Sequence, residues 1–142
     1  MLIVLTINFI IANQEKEGLQ VDLAILEEGL NQLQNGQSIE AEALFELLVE
    51  KYPTNYYILW NYGISLNLNE KYSDALQVYL LAQQHNNFLA LNTYFTTQIG
   101  ELFYLTGDYY NAEVYLEKSL SLGATKENKE LANQLLERMV KE

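Results

Sequence analysis

The sequence predicts an all-α protein, a solenoid of antiparallel helix pairs, and three observations carry that prediction. Small and aromatic residues recur at fixed distances: Gly29 to Gly63, Ala41 to Ala75 and Phe45 to Tyr79 are each 34 residues, while Gly63 to Gly100 and Ala75 to Ala112 are both 37. Within every unit the Gly-to-Ala separation is 12. Between these markers the apolar residues fall at spacings of three and four, the period of a helix that buries one face. A repeat of this length cannot bury its apolar face alone, so it predicts units stacked on one another.

Composition agrees with that fold and narrows the function. The 142 residues are 49% apolar, enough for one domain with a substantial core. A single proline, Pro53, leaves long stretches free to remain helical. The absence of cysteine excludes disulfides, thiolate metal sites and cysteine nucleophiles together. Nineteen acidic residues face eight basic ones, a net charge of −11. The bases are scattered from Lys16 to Lys141 with no stripe that could displace counterions from phosphates. That pattern excludes nucleic-acid binding and disfavours an anionic membrane surface. A basic or neutral partner suits the chain better than an acidic one, although acids also serve simply to keep helices soluble.

Residues 1–13 form an apolar N-terminal segment, dominated by the run from Leu2 to Ala12. The run is too short for a membrane-spanning helix, which needs roughly 20 residues. It suits the core of a secretory signal peptide, with Ala12 as the small residue before a cleavage point. Two features oppose this: no Lys or Arg precedes the run, and Ile10 stands where a second small residue is expected. The other reading is a first strand or helix packed on the repeats. Both stay open, with export to the periplasm or cell envelope slightly favoured over the cytoplasm.

The repeats occupy residues 18–125, in units of about 22–55, 56–92 and 93–125. Each reads as two helices around a tight turn. In the second unit Leu59, Tyr62, Gly63 and Leu66 share one face; the turn Asn69-Glu70-Lys71 follows, and then Ala75, Leu76, Tyr79, Leu80 and Ala82 make the facing stripe. Gly36 and Gly107 mark the turns of the other two units, where positive φ is needed after a first helix. Pro53 stops the second helix of the first unit by withholding a backbone donor. Gly29, Gly63 and Gly100 weaken a helix by about 1 kcal/mol each relative to Ala, so their recurrence predicts close helix crossings. The three extra residues of the longer step fall around His85. Residues 126–142 read as a capping helix, started by Thr125 or Asn128, with Leu131, Leu135, Leu136 and Met139 on its apolar edge.

The phased residues resemble the tetratricopeptide repeat family. Gly29, Ala41, Phe45 and Pro53 match its signature in the first unit, Gly63, Leu66, Ala75, Tyr79 and Ala82 in the second, and Ile99, Gly100, Phe103, Gly107, Tyr109 and Ala112 in the third. Gln32, Leu48 and Ser119 depart from it. The resemblance implies a right-handed superhelix of three repeats plus the capping helix, with first helices lining a concave groove. Carried over by position, the groove residues are Tyr57, Trp60, Asn61, Ile64, Asn67 and Leu68 from the second unit, with Tyr94, Thr97, Gln98, Glu101 and Tyr104 from the third. Leu23, Leu26, Glu27, Leu30 and Leu33 stand at the corresponding places of the first. Trp60 is the only tryptophan, displaced by one residue from the family's usual position, now held by Leu59.

The implied function is a non-catalytic scaffold that binds a protein or peptide segment; the alternative is a small cytoplasmic chaperone of the secretion type. Some relatives grip a C-terminal carboxylate with groove cations. Here only Asn61 of that set is present, and Leu26, Leu30, Tyr94 and Gln98 hold the other places. No reaction, cofactor or metal is expected. His85 is the only histidine, and acid pairs such as Glu27-Glu28 fit a solvated helix face better than an acid–base site, which needs a cleft to separate two pKa values. Phosphate-loop, GxSxG and HExxH patterns are missing.

Overall fold

A computed structural model of the chain describes residues 2–141, with side chains from Ala12 onward. Among the described residues it has seven α-helices and no strand: α1 Leu2–Gln34, α2 Ser38–Lys51, α3 Tyr56–Leu68, α4 Tyr72–His85, α5 Thr93–Leu105, α6 Tyr109–Ser121 and α7 Lys126–Met139. Short connections make α1/α2, α3/α4 and α5/α6 antiparallel pairs; each pair packs on the next, and α7 closes over α5 and α6. The apolar run at residues 2–11 lies outside the described side chains. Among the described residues, no helix is long and apolar enough to cross a membrane.

Local chemistry explains where these helices begin and end. The Asn55 side chain accepts hydrogen bonds from the backbone N–H of Tyr57 at 3.0 Å and of Ile58 at 3.3 Å. Asn92 does the same for Phe95, Asp108 for Asn111 and Thr125 for Asn128, each supplying a partner for an orphan donor of the first turn. The turns inside the pairs use one left-handed residue at one register: Gly36 (φ 75°), Glu70 (φ 61°) and Gly107 (φ 83°). Glu70 is the strained member, because a Cβ in that region costs about 1–2 kcal/mol. Glu70→Gly is therefore expected to raise stability by about 0.5–1 kcal/mol after the entropy of glycine is counted, seen as a higher urea midpoint with an unchanged slope.

Packing follows the ruler. A Cβ on Gly29 would lie 3.1 Å from the Phe45 ring, on Gly63 2.5 Å from the Tyr79 ring, and on Gly100 2.8 Å from the Leu116 side chain. Each glycine thus faces the residue sixteen positions later, at the crossing of its pair. Ala41, Ala75 and Ala112 are fully buried beside them. In α4 the buried face is Ala75, Tyr79 and Ala82, and Leu80, expected on it, is exposed; it stands one residue, about 100°, beyond Tyr79. Polar ties fix the stack. Asn69 and Lys71 both donate to Glu42 at 2.6 Å, joining the second pair's turn to α2. Burial pushes the Glu42 carboxyl up, but these donors outweigh it and hold the group below its usual range. The buried Ser119 hydroxyl sits 2.6 Å from that of Thr97 and donates to the Thr93 carbonyl at 3.0 Å.

The inserted residues fall just after His85 rather than around it. His85 is the last residue of α4, and the insertion winds into a short 3-10 turn, Asn87–Leu91, capped by Asn86. Leu89 anchors that turn in the core between α4 and α5, while Phe88 and Leu91 point outward.

Candidate interaction face

The stacking sets α1, α3 and α5 side by side, so equivalent residues of the three units form parallel rows. Tyr57, Asn61, Ile64 and Leu68 follow one another along α3 at spacings of four, three and four. Thirty-seven residues on, α5 repeats the row as Tyr94, Gln98, Glu101 and Leu105; thirty-four residues back, α1 carries Leu23, Glu27, Leu30 and Gln34. Both ends of the α3 and α5 rows and the Leu23 end of the α1 row are exposed and apolar, with Tyr57 at 42% and Tyr94 at 48% of their full exposure, and Leu23, Leu68 and Leu105 similarly open. The centre is polar and nearly closed, with Asn61 at 8% and Gln98 at 9%.

Trp60 fixes that centre. It is half-buried between α3 and α5, and its indole N–H donates to the Gln98 side-chain oxygen at 3.0 Å. Its ring meets Phe95 edge-on at 5.4 Å and tilts against Tyr94 at 6.2 Å, arrangements that aromatic quadrupoles favour. Asn61 donates its amide to the Tyr57 carbonyl at 2.8 Å, which leaves its side-chain oxygen as the acceptor available on this face. Below lies Tyr79, whose ring packs against Phe95 at 5.3 Å. The Tyr79 hydroxyl is completely buried without a hydrogen-bond partner, since the nearby indole N–H is committed to Gln98. Burial, then the charge of Tyr94, holds its phenol well above the ordinary range, and the nearby Trp60 indole N–H offsets only part of the rise. Burial alone raises the Glu101 carboxyl, which makes no hydrogen bond or ion pair with a described residue.

Two residues expected in the groove, Thr97 and Tyr104, are placed differently. Thr97 is buried with its hydroxyl on Ser119, so it faces α6. Tyr104 stacks on Tyr109 at 5.5 Å and joins the cluster made with α7, at the seam between the third pair and the cap. Ile64 and Asn67 are half-buried on α3. Sequence reasoning missed one further feature. A small hollow of 140 Å³ opens between α1, α2 and α3, lined by Leu19, Leu23, Leu26, Leu48, Tyr52 and Ile58 among others. Leu19 lies ahead of the first recognisable unit, which hid its part in this wall. Among the described residues no three His, Cys, Asp or Glu side chains come together as a metal site.

No family model and no curated protein matches the chain. Solved structures do. The chain is similar to the Sgt2 TPR domain from Aspergillus fumigatus, with TM-score 0.70 and 16% identity over 83% of this chain and 78% of that one. It is also similar to the first TPR of Spaghetti (RPAP3) bound to the HSP90 peptide SRMEEVD, with TM-score 0.72 and 18% identity over 85% and 94%. A third is the Yersinia enterocolitica type III secretion chaperone SycD in complex with a peptide of the translocator YopD, with TM-score 0.66 and 22% identity over 84% and 93%. The chain therefore has the tetratricopeptide-type fold, an all-α superhelix of helix pairs.

Proposed function

We propose that this protein is a non-catalytic interaction module that binds a protein or peptide segment across the rows of α1, α3 and α5. The observation that carries this reading is the arrangement of the face: exposed Tyr57, Tyr94, Leu23, Leu68 and Leu105 surround a desolvated amide centre of Asn61 and Gln98. Apolar rims give contact area, and the few fixed polar groups can orient a peptide backbone. Two proteins of the same fold were solved with bound peptides, one from HSP90 and one from a translocator, which supports a peptide-binding role for this fold here. No catalytic role is assigned to His85, which is exposed at the end of α4.

The acidic HSP90 peptide is a poor fit here. Leu26, Leu30, Tyr94 and Gln98 supply no cation for its carboxylates. The likeness to SycD, a secretion chaperone, supports a second reading, a small chaperone that keeps a partner soluble before export. Retention of residues 1–13 in the mature protein supports the chaperone; their removal supports a module in the cell envelope.

The test is affinity capture with the wild type beside a Tyr57→Ser/Tyr94→Ser variant. Both side chains are open to solvent, so the variant keeps its fold, which circular dichroism checks. Partners retained by the wild type and lost by the variant support the face; an identical set of partners removes it.

A further inference from the structure

We propose that Glu101, beside Tyr94, Gln98 and Trp60, is the seat for a basic side chain of the bound segment, arginine above all. This rests on the peptide-binding reading and adds the chemistry of the residue that is recognised.

Register makes Glu101 conspicuous. The same position is Leu30 in the first unit and Ile64 in the second, so the fold itself calls for an apolar residue there. A carboxylate in a half-buried place loses hydration, and a side chain that only served solubility would sit further out. Its immediate surroundings also ask for a donor. Glu101 makes no hydrogen bond or ion pair with a described side chain. A half-buried carboxylate without a partner calls for an explanation, and a ligand that pairs with it is one.

The neighbouring rings select the sign of that ligand. Tyr94 stands in the same α5 row as Glu101, and its ring lies 6.2 Å from that of Trp60, centroid to centroid. A guanidinium can stack on such rings while its fork of N–H donors reaches an acid. The rows of α3 and α5 contain no Lys or Arg to compete, and the chain carries −11 overall. Charge complementarity therefore points to a cation from the partner, and it speeds encounter as well as fixing register.

The experiment uses the full chain and capped heptapeptides Ala-Leu-Ala-X-Ala-Leu-Ala, with X as Arg, norleucine or Glu, at up to millimolar concentration. The lone Trp60 gives a single indole N–H resonance, so its shift reports occupancy of this place directly. The Arg peptide is expected to move that resonance and to bind at least about fivefold tighter than the norleucine peptide. Glu101→Gln should bring the two within about twofold. Glu101→Leu, copying Leu30, should do the same in a fold at least as stable. Equal affinity for Arg and norleucine, with Trp60 shifted by both, overturns the basic seat while leaving the face as a peptide site. Tightest binding of the Glu peptide also overturns it. If no peptide moves the Trp60 resonance, the seat and the peptide-binding reading fail together. A resonance that shifts with protein concentration alone assigns the face to a second copy of the chain and overturns the peptide assignment.

Discussion

Replacing Gly63 by alanine is expected to destabilise the protein by about 1–3 kcal/mol, although helix propensity alone favours the change by about 1 kcal/mol. The reason is space. The added methyl would stand 2.5 Å from the Tyr79 ring, well inside contact distance. That ring cannot retreat, because it is completely buried and packed against Phe95. Either the α3/α4 pair splays or Tyr79 leaves its rotamer, and both disturb the close packing of the largest core cluster. Gly29→Ala makes the useful contrast. Its methyl meets the Phe45 ring at 3.1 Å, in a smaller cluster bordered by half-buried residues of α1. There a shift of a few tenths of an ångström suffices, and the propensity gain brings the net change close to zero. Urea unfolding of both variants measures the difference. In a Tyr79→Ala background the Gly63→Ala penalty should fall by at least half, since the two sites are in contact and cannot be additive. A stabilised Gly63→Ala protein would show that the glycine is not there for the crossing.

The contrast also shows what can be read in a sequence of this kind. The Gly-to-Ala spacing of 12 was legible because identical residues mark it in all three units. The Gly-to-aromatic spacing of 16 was legible in two units and lost in the third, where Leu116 does the work of Phe45 and Tyr79. Packing asks for volume at that place, and an aliphatic side chain supplies it without repeating the residue type. The face was legible as a set of positions but not as a set of roles. Phase alone put Thr97 beside Trp60's row, yet the Ser119 hydroxyl draws Thr97 inward. Phase likewise grouped Tyr104 with Tyr94, and only the arrival of α7 shows that Tyr104 belongs to the seam with the cap. The left-handed turn residue was visible at Gly36 and Gly107 but not at Glu70, where composition gives no sign of positive φ. Side-chain partnerships across 27 to 38 residues, such as Glu42 with Asn69 and Trp60 with Gln98, have no local signature at all.

Leu135→Ala is expected to cost about 2–5 kcal/mol, the range for removing a fully packed leucine, and the loss should be confined to one end of the molecule. Leu135 is the buried centre of α7, where it meets Leu116 and Ala132, with Tyr104, Leu120 and Met139 around them. Leu131, Leu136 and Met139 pack only partly buried beside it and the rest of α7 is polar, so Leu135 is the main large side chain that holds the helix on α5 and α6. In a stack where each pair touches only its neighbours, stability is close to a sum of unit and interface contributions. Weakening the last interface should therefore release α7 first and α6 next. Amide hydrogen exchange should show protection falling in those two helices while α1 to α4 keep theirs. Equal loss along the whole chain would mean that the helices open as one unit, and the nearest-neighbour account would have to be given up. The consequence for the interaction face follows from α5, which packs on α7 at one end and carries Tyr94, Gln98 and Glu101 in its row. Once the cap loosens, that row is held by α4, α6, the 3-10 turn and the Trp60 contacts from α3. Peptide affinity should then fall in Leu135→Ala, although Leu135 has no place on the face, and it should recover when solution conditions restore exchange protection in α7.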